Sequence, residues 1–544
     1  MRGMMMDRPL RIADILTYAE DMHGRAEIVS STVEGGLHRE TYAEMAARSR
    51  KLAKALLALG LGQGDRIATL AWNGYRHMEL YYGIPGIGAV CHTINPRLSA
   101  EQMTYIVNHA EDRALFLDLT FVPLVEKLAA QFPPDMAYVI LTDAAHMPET
   151  SLPNVQCYED LLAAQTDSFE WPDFDETTAA GLCYTSGTTG NPKGALYSHR
   201  AMVLHALLVG ISMQKSMRTG KRMLPVVPLF HANAWGAAHA APLTGASLVM
   251  PGPHLDGASI FDLMETEDVF AAWGVPTVWL GLMAEIEKRG RKPAGLGELV
   301  IGGSAAPTSL IKGFEDIGVS VCHAWGMTEM SPIGTLGNLS PDMAGLPATQ
   351  QLALKSTQGR RAFMVELKIA DENGVRQPHD GTATGELFVR GPTIVSGYYN
   401  NPQASAAAFD AEGWFGTGDV ASISPDGFLN ITDRAKDLIK SGGEWISSLD
   451  VENMAMAHPD IANCAVIAVP HPKWDERPVL IAVPAPGCTP DSAAIMTHLS
   501  EHLAKWQLPD DIVYVDDLPL TATGKVSKLT LRQAYADHKL PDAG

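Results

Sequence analysis

The sequence predicts an α/β protein: a large N-terminal region with buried sheets, a β-rich subdomain after it, and a small α+β domain at the C-terminus. Three changes of texture carry this expectation. Through about residue 350, short apolar runs alternate with helical or loop segments, as they do where helices cover a sheet on both faces. Near residue 355 the runs shorten to "AFMVELKIAD", "GELFVRG" and "GFLNITD", punctuated by Gly, Pro and Asp as short strands are. From about residue 437 alternation returns over roughly 110 residues, a length that can fold alone.

Taken in order, Thr41 with Glu44 makes a capping box, and Met45, Leu52, Leu56 and Leu59 repeat at helical spacing until Gly60. "DRIATLAWN" (65–73) is then a short apolar strand. The glycines of "GLGQGD" between them close a helix, whereas a dinucleotide fingerprint would open one. Apolar strands follow at "RALFLDL" (113–119), "MAYVILTD" (136–143), "GASLVMPG" (245–252) and "GELVIGGSAAP" (297–307). The last stretch alternates again through "LDVENMAMAH", "CAVIAVPHP", "PVLIAVPAP" and "AAIMTHLSEHLAKW". No repeat, heptad array or low-complexity segment interrupts the pattern.

At 544 residues, 46% hydrophobic and 19% charged, the chain has the composition of a multi-domain globular protein. Its net charge of −21, with no run of Lys or Arg, argues against general nucleic-acid binding. A polyanionic substrate therefore needs a local positive site or a metal ion. Six scattered cysteines, without a CxxC pair, read as reduced thiols of a cytoplasmic protein. "MRGMMMDRPLRIADI" lacks the apolar run of a signal peptide, and no stretch approaches the roughly 18 to 20 apolar residues of a membrane span.

"YTSGTTGNPKG" (184–194) is the first candidate for chemistry. Gly lets backbone N–H groups approach a phosphate, hydroxyls add donors, and Lys193 adds a mobile cation. It is no Walker A loop, because Asn191 and Pro192 separate Gly190 from Lys193. An ordinary surface turn is the alternative.

Together with "VPLFHANAWG" (227–236), "IGGSAAP" (301–307), "HAWGMTEMSP" (323–332), "GWFGTGDV" (413–420), "ITDRAKDLIKSGGEWIS" (431–447) and "PLTATGKVSK" (519–528), this loop resembles the adenylate-forming superfamily over nearly the whole chain. That superfamily holds acyl-CoA synthetases, luciferases and peptide-synthetase adenylation domains. "FHANAWG", "KSGGEWISS" and "TATGKVSK" look most like bacterial medium- and long-chain fatty acyl-CoA ligases, with methylmercaptopropionate–CoA ligases nearest in kind. The resemblance implies an AMP-forming ligase acting in two steps. A carboxylate and ATP give acyl-AMP and pyrophosphate, and CoA then gives the thioester and AMP. ATP, Mg²⁺ and CoA are the implied cofactors and co-substrates. The implied acid is 3-methylmercaptopropionate or a related short- or medium-chain aliphatic acid, with long-chain and aryl acids, or a luciferase-like oxygenase, as alternatives.

By the same resemblance Thr185, Ser186, Gly187, Thr188, Thr189, Gly190 and Lys193 hold the β- and γ-phosphates. Glu329, helped by Thr185, holds Mg²⁺, and Thr328 donates to the α-phosphate; a solvated helix start is the other reading of Glu329. Asp419, supported by Arg434, fits the ribose diol, since a carboxylate accepts two hydrogen bonds. Gly303, Ser304, Ala305, His323, Ala324, Trp325 and Gly326 line the adenine, although core packing equally explains Trp325. Lys525 bridges the carboxylate and the α-phosphate; Lys528 is its confounder, and a solvated tail lysine its alternative. On the acyl side stand His231, Ala232, Trp235, Gly302 and Gly303, with core packing as a second reading of Trp235.

The segment 227–236 carries no Asp to pair a substrate ammonium, which disfavours amino acids, and its apolar Val227, Leu229, Ala232 and Ala234 suit an aliphatic acid. The family rotates its C-terminal domain between half-reactions. That places a hinge at Lys436, also near ATP, between domains 1–435 and 436–544, and brings Lys440, Gly442, Gly443, Glu444 and Trp445 to CoA. A linker residue is the plain reading of Lys436. A homodimer belongs to the same expectation. A catalytically silent nucleotide sensor is the non-ligase alternative, and it predicts loss of Thr188, Lys193, Glu329, Asp419 and Lys525, all of which are present.

Overall fold

The computed structural model describes residues 1, 3–185, 191–441, 444–521 and 524–541. Among them, two mixed sheets build the N-terminal bulk. The first has seven strands in the order Gln156–Cys157, Ala137–Ile140, Ala114–Leu117, Arg66–Leu70, Val90–Thr93, Ala179–Tyr184, Gly194–Ser198. The second has nine, and its centre runs Ser320–Gly326, Glu298–Ile301, Ala271–Gly274, Arg222–Pro225, Ser247–Met250. These central strands pair in parallel. Ala114–Leu117 and Glu298–Ile301 are buried along their whole length, which is why their segments read as apolar runs.

The first long helix, Tyr42–Ala58, forms as its capping box dictates. The Thr41 N–H donates to Glu44 Oε2 at 2.7 Å and the Glu44 N–H to Thr41 Oγ1 at 3.3 Å, satisfying two donors the helix leaves open. Met45, Leu52 and Leu56 are fully buried, and Gly60, at φ +74, lets the chain turn away.

The β-rich subdomain is a four-stranded antiparallel sheet of Glu366–Ala370, Thr384–Arg390, Phe415–Ile423 and Leu429–Arg434. It begins later than the change of texture near 355 suggests, because Arg360–Arg361 pairs with Ile333–Leu336 at the edge of the nine-stranded sheet. A further sheet of five strands starts at Ile439, with Asp475–Pro484 paired to Ile461–His471 and to Asp511–Tyr514. Helices Ser448–Ala455 and Ser492–His502 close a separate core on it through Val451, Ile495 and Leu499. No helix among the described residues is long and apolar enough to cross a membrane.

Candidate active site

A cavity of about 520 Å³ opens where several strands end. Thr185 follows the strand Ala179–Tyr184, Gly302 follows Glu298–Ile301, Gly326 ends Ser320–Gly326 and Arg434 ends Leu429–Arg434. Ligands of open α/β sheets bind in such crevices beyond the carboxyl ends of the strands. Its walls also hold Lys193, His231, Ala232, Trp235, Gly303, Ala324, Trp325, Thr328, Glu329, Lys436 and Lys525. A second volume, of about 340 Å³, adjoins it through Gly303, Trp325, Arg434 and Lys525 and adds Ser304, Ala305, His323 and Asp419.

The strands on either side of the glycine-rich stretch pair antiparallel, with Tyr184 opposite Gly194. The neck between them is closed by the Thr185 N–H donating to the Lys193 carbonyl at 2.9 Å and the Lys193 N–H to Thr185 Oγ1 at 3.3 Å. The Lys193 ammonium stands 5.0 Å above the Tyr398 ring. Ser186, Gly187, Thr188, Thr189 and Gly190 lie outside the described residues.

Glu329 is no solvated helix start. It sits in the short turn Thr328–Met330 at 6% exposure, where Oε1 accepts from the Tyr398 hydroxyl at 2.7 Å. Burial pushes its carboxyl pKa up, and Tyr398, Arg434 and Lys193 draw it back. It has no ion-pair partner among the described residues. Thr328 is buried beside it, its carbonyl accepting from the Tyr197 hydroxyl at 2.6 Å.

Asp419 is buried at 2% exposure. The Arg434 Nε stands 2.8 Å from its Oδ1, and the indole N–H of Trp325 donates to its Oδ2 at 3.0 Å. Trp325 therefore does more than fill the core: it lines both volumes and orients a carboxylate. His323 donates from Nδ1 to the Ser356 carbonyl at 3.2 Å, and burial pushes its pKa down to about 4.

The tail segment carrying Lys525 docks on the start of the helix Pro276–Arg289, where Thr277 Oγ1 donates to the Gly524 carbonyl at 3.4 Å. The solvated reading of Lys525 fails for that reason. Burial, then the neighbouring Arg434, pushes its pKa down to about 8 against the pull of Asp419 and Glu329. Lys528 has another employment: its ammonium pairs with Glu452 Oε1 at 2.7 Å. Lys436, between the two sheets, is exposed, and its pKa is lowered chiefly by partial desolvation.

On the acyl side the chain takes a conformation the sequence does not announce. Ala232, Asn233, Ala234 and Trp235 all have positive φ, between 45 and 59, followed by Gly236 at 85. Each non-glycine residue in this left-handed region costs roughly 1–2 kcal/mol, so the surroundings must impose the turn. They do so through buried polar groups: Asn73 receives the Leu229 N–H at 2.6 Å, and the Tyr81 hydroxyl donates to the Leu229 carbonyl at 2.5 Å and lies 3.2 Å from Asn233 Oδ1. The turn lays Trp235 against Gly302 and Gly303; a Cβ on Gly302 would stand 2.8 Å from the Ala324 carbonyl oxygen and 3.2 Å from the Trp235 ring. His231 precedes the turn, and burial and the Lys525 charge push its pKa down to about 3, leaving a neutral imidazole.

Lys440, Glu444 and Trp445 are not brought to the cavity. They lie exposed on the hairpin Ile439–Ser441 and Glu444–Ile446, whose Gly442 and Gly443 are outside the described residues. Sequence reasoning missed Tyr398, Tyr197, Tyr81 and Asn73, which hold the site residues from elements far along the chain.

Residues 17–399 match the family described as AMP-binding enzyme, and residues 450–525 match AMP-binding enzyme C-terminal domain. The chain is 48% identical over 538 residues to 3-methylmercaptopropionyl-CoA ligase of Ruegeria lacuscaerulensis, covering 99% of both chains. It is 46% identical over 538 residues to the medium-chain-fatty-acid–CoA ligase of Ectopseudomonas oleovorans, covering 99% of this chain and 98% of that one. Among solved structures, ATP-bound MatB from Rhodopseudomonas palustris superposes with a TM-score of 0.81 at 26% identity, over 96% of this chain and 99% of that one.

Proposed function

This chain belongs to the AMP-binding enzyme family and is an ATP-dependent acyl-CoA ligase, and we propose that its cavity holds the acid and ATP together for adenylation. The acid's carboxylate attacks the α-phosphorus and expels pyrophosphate; the CoA thiol then attacks the acyl carbon and expels AMP. Two anions must meet in the first step, so positioning and charge neutralisation do most of the work.

In this reading Lys193, Thr185 and the hydroxyl-rich loop hold the outer phosphates. Glu329 suits Mg²⁺ because it is a buried carboxylate with no cationic partner among the described residues, and a hard cation takes oxygen ligands. Glu329 and Thr185 would hold the ion, which supplies neutralisation of phosphate charge. Thr328 donates to the α-phosphate, Asp419 with Arg434 receives the ribose, and the 303–305 and 323–326 segments flank the adenine. Lys525 places its ammonium between carboxylate and α-phosphate, and the neutral His231 shapes the carboxylate site.

Lys525 and the hairpin of Lys440 and Trp445 cannot both reach the cavity in one arrangement. The reading therefore assigns Lys436 as a hinge between 1–435 and 436–544, whose rotation withdraws Lys525 and brings the hairpin to CoA. The acid we assign is 3-methylmercaptopropionate or a related short- or medium-chain aliphatic acid. The names of the full-length relatives support this, as do the apolar Ala232 and the buried Trp235 that line the cavity. The reading includes a cytoplasmic homodimer, to be tested by sedimentation; six free cysteines accord with a reducing compartment.

The observation that carries the proposal is the entry of Lys525, from the C-terminal segment, among Glu329, His231 and Trp235. Product analysis across thioether, short-chain, medium-chain and aromatic acids tests it. AMP and pyrophosphate in step with CoA consumption are expected, with highest kcat/KM for the short thioether or medium-chain acids. ADP and orthophosphate would end the reading.

A further inference from the structure

Away from the cavity, the C-terminal end of the helix Ser492–His502 gathers three metal-ligating side chains. His498, Glu501 and His502 stand at i, i+3 and i+4, so the last two flank the first on one face. Their ligand atoms lie within 4.8 Å of one another. The helix cannot roll away from this arrangement, because Ile495 and Leu499 on the neighbouring stripe are completely buried in the domain core.

The ring of His498 is already set as metal-binding imidazoles are. Its Nε2–H donates to the Met454 carbonyl at 3.0 Å, at the end of the helix Ser448–Ala455, which fixes the tautomer and leaves the Nδ1 lone pair uncommitted. The His502 ring lies 5.2 Å from it, and His458 packs on its other side at 5.4 Å. The helix dipole adds negative potential at this end, and Glu501 adds a full negative charge. No ion pair engages Glu501 or His502 among the described residues.

We infer that His498, Glu501 and His502 form a site for a borderline divalent transition metal of the zinc class, with water completing the coordination. Two imidazoles and one carboxylate suit such an ion, whereas Mg²⁺ prefers oxygen alone. Bonds of about 2.1 Å draw tetrahedral ligands to about 3.4 Å apart, a closure that side-chain rotation on a half-exposed helix end supplies. The site is separate from the Mg²⁺ position assigned to Glu329, and all three of its ligands stand on one helix.

Isothermal titration of the tag-free full-length chain with zinc chloride, in excess Mg²⁺, tests the site. One zinc per chain is expected. His502→Ala and Glu501→Gln, both exposed and free of structural bonds to the core, should weaken zinc binding at least roughly tenfold while leaving Mg²⁺-dependent acyl-AMP formation unchanged. Co²⁺ should give the visible absorption of a nitrogen-ligated low-symmetry site, lost in His502→Ala. Zinc isotherms that superimpose for the wild type and both variants, or no zinc uptake by the wild type, would overturn the assignment.

Discussion

The indole N–H of Trp325 donates to the carboxylate of Asp419 at 3.0 Å, 94 residues away in sequence. A buried carboxylate proposed to receive a ribose diol needs its orientation fixed beforehand, and this bond, with Arg434 on the other oxygen, fixes it. Trp325→Phe keeps the aromatic face and removes the donor. A lost hydrogen bond to a charged group is worth about 1.5–3 kcal/mol, so the KM for ATP should rise roughly 10- to 150-fold with the KM for the acid unchanged. Equal effects on both substrates would make Trp325 a packing residue only.

Trp235, held in its left-handed turn at 7% exposure, lines the cavity on the proposed acyl side. Trp235→Ala should shift preference toward longer acids. Burial of one methylene is worth about 0.8 kcal/mol, so kcat/KM should gain roughly fourfold per added carbon until the new space is filled. A chain-length profile measured on the variant that matches the wild type would contradict this.

The Lys525 pKa, pushed down to about 8, gives the adenylation step a pH dependence. Only the ammonium can stabilise developing anionic charge, and its population falls as pH rises through that value. On the alkaline side, kcat/KM for acyl-AMP formation should fall roughly tenfold per pH unit, since this parameter reports the free enzyme. Arg does not deprotonate in this range. The limb should vanish in Lys525→Arg, whatever the variant's absolute rate, and its persistence would assign the titration to another group.

Lys528, paired with Glu452 and only 13% exposed, serves the fold of the C-terminal domain. Lys528→Met strands the Glu452 carboxylate, and breaking a buried pair costs about 3 kcal/mol. Thermal denaturation should show a Tm lowered by several degrees, while the adenylation rate of the folded fraction stays unchanged. A lost rate with unchanged Tm would exchange the roles of the two lysines.

These two lysines mark the limit of what the sequence discloses. Three positions apart in one polar segment, they are indistinguishable by local pattern, and only the partners distant in sequence separate them. The capping box at Thr41 and the apolar strands were legible because the groups that decide them are neighbours in sequence. The turn at 232–235 was not, because of its four residues only Asn has any leaning toward positive φ, and the force that bends the chain comes from Asn73 and Tyr81. Tyr398 escaped notice for the same reason: its bond to Glu329 joins elements 69 residues apart.

The most direct measurement separates the two half-reactions of Lys525→Ala. Removing one preorganised charge from a developing anion costs roughly 10²- to 10³-fold, so acyl-AMP formation from acid and ATP should fall by that factor or more. Thioester formation from supplied acyl-AMP and CoA should proceed at nearly the wild-type rate, because the proposed rotation withdraws Lys525 from the cavity before that step. Equal losses in both half-reactions, or none in the first, would contradict the account.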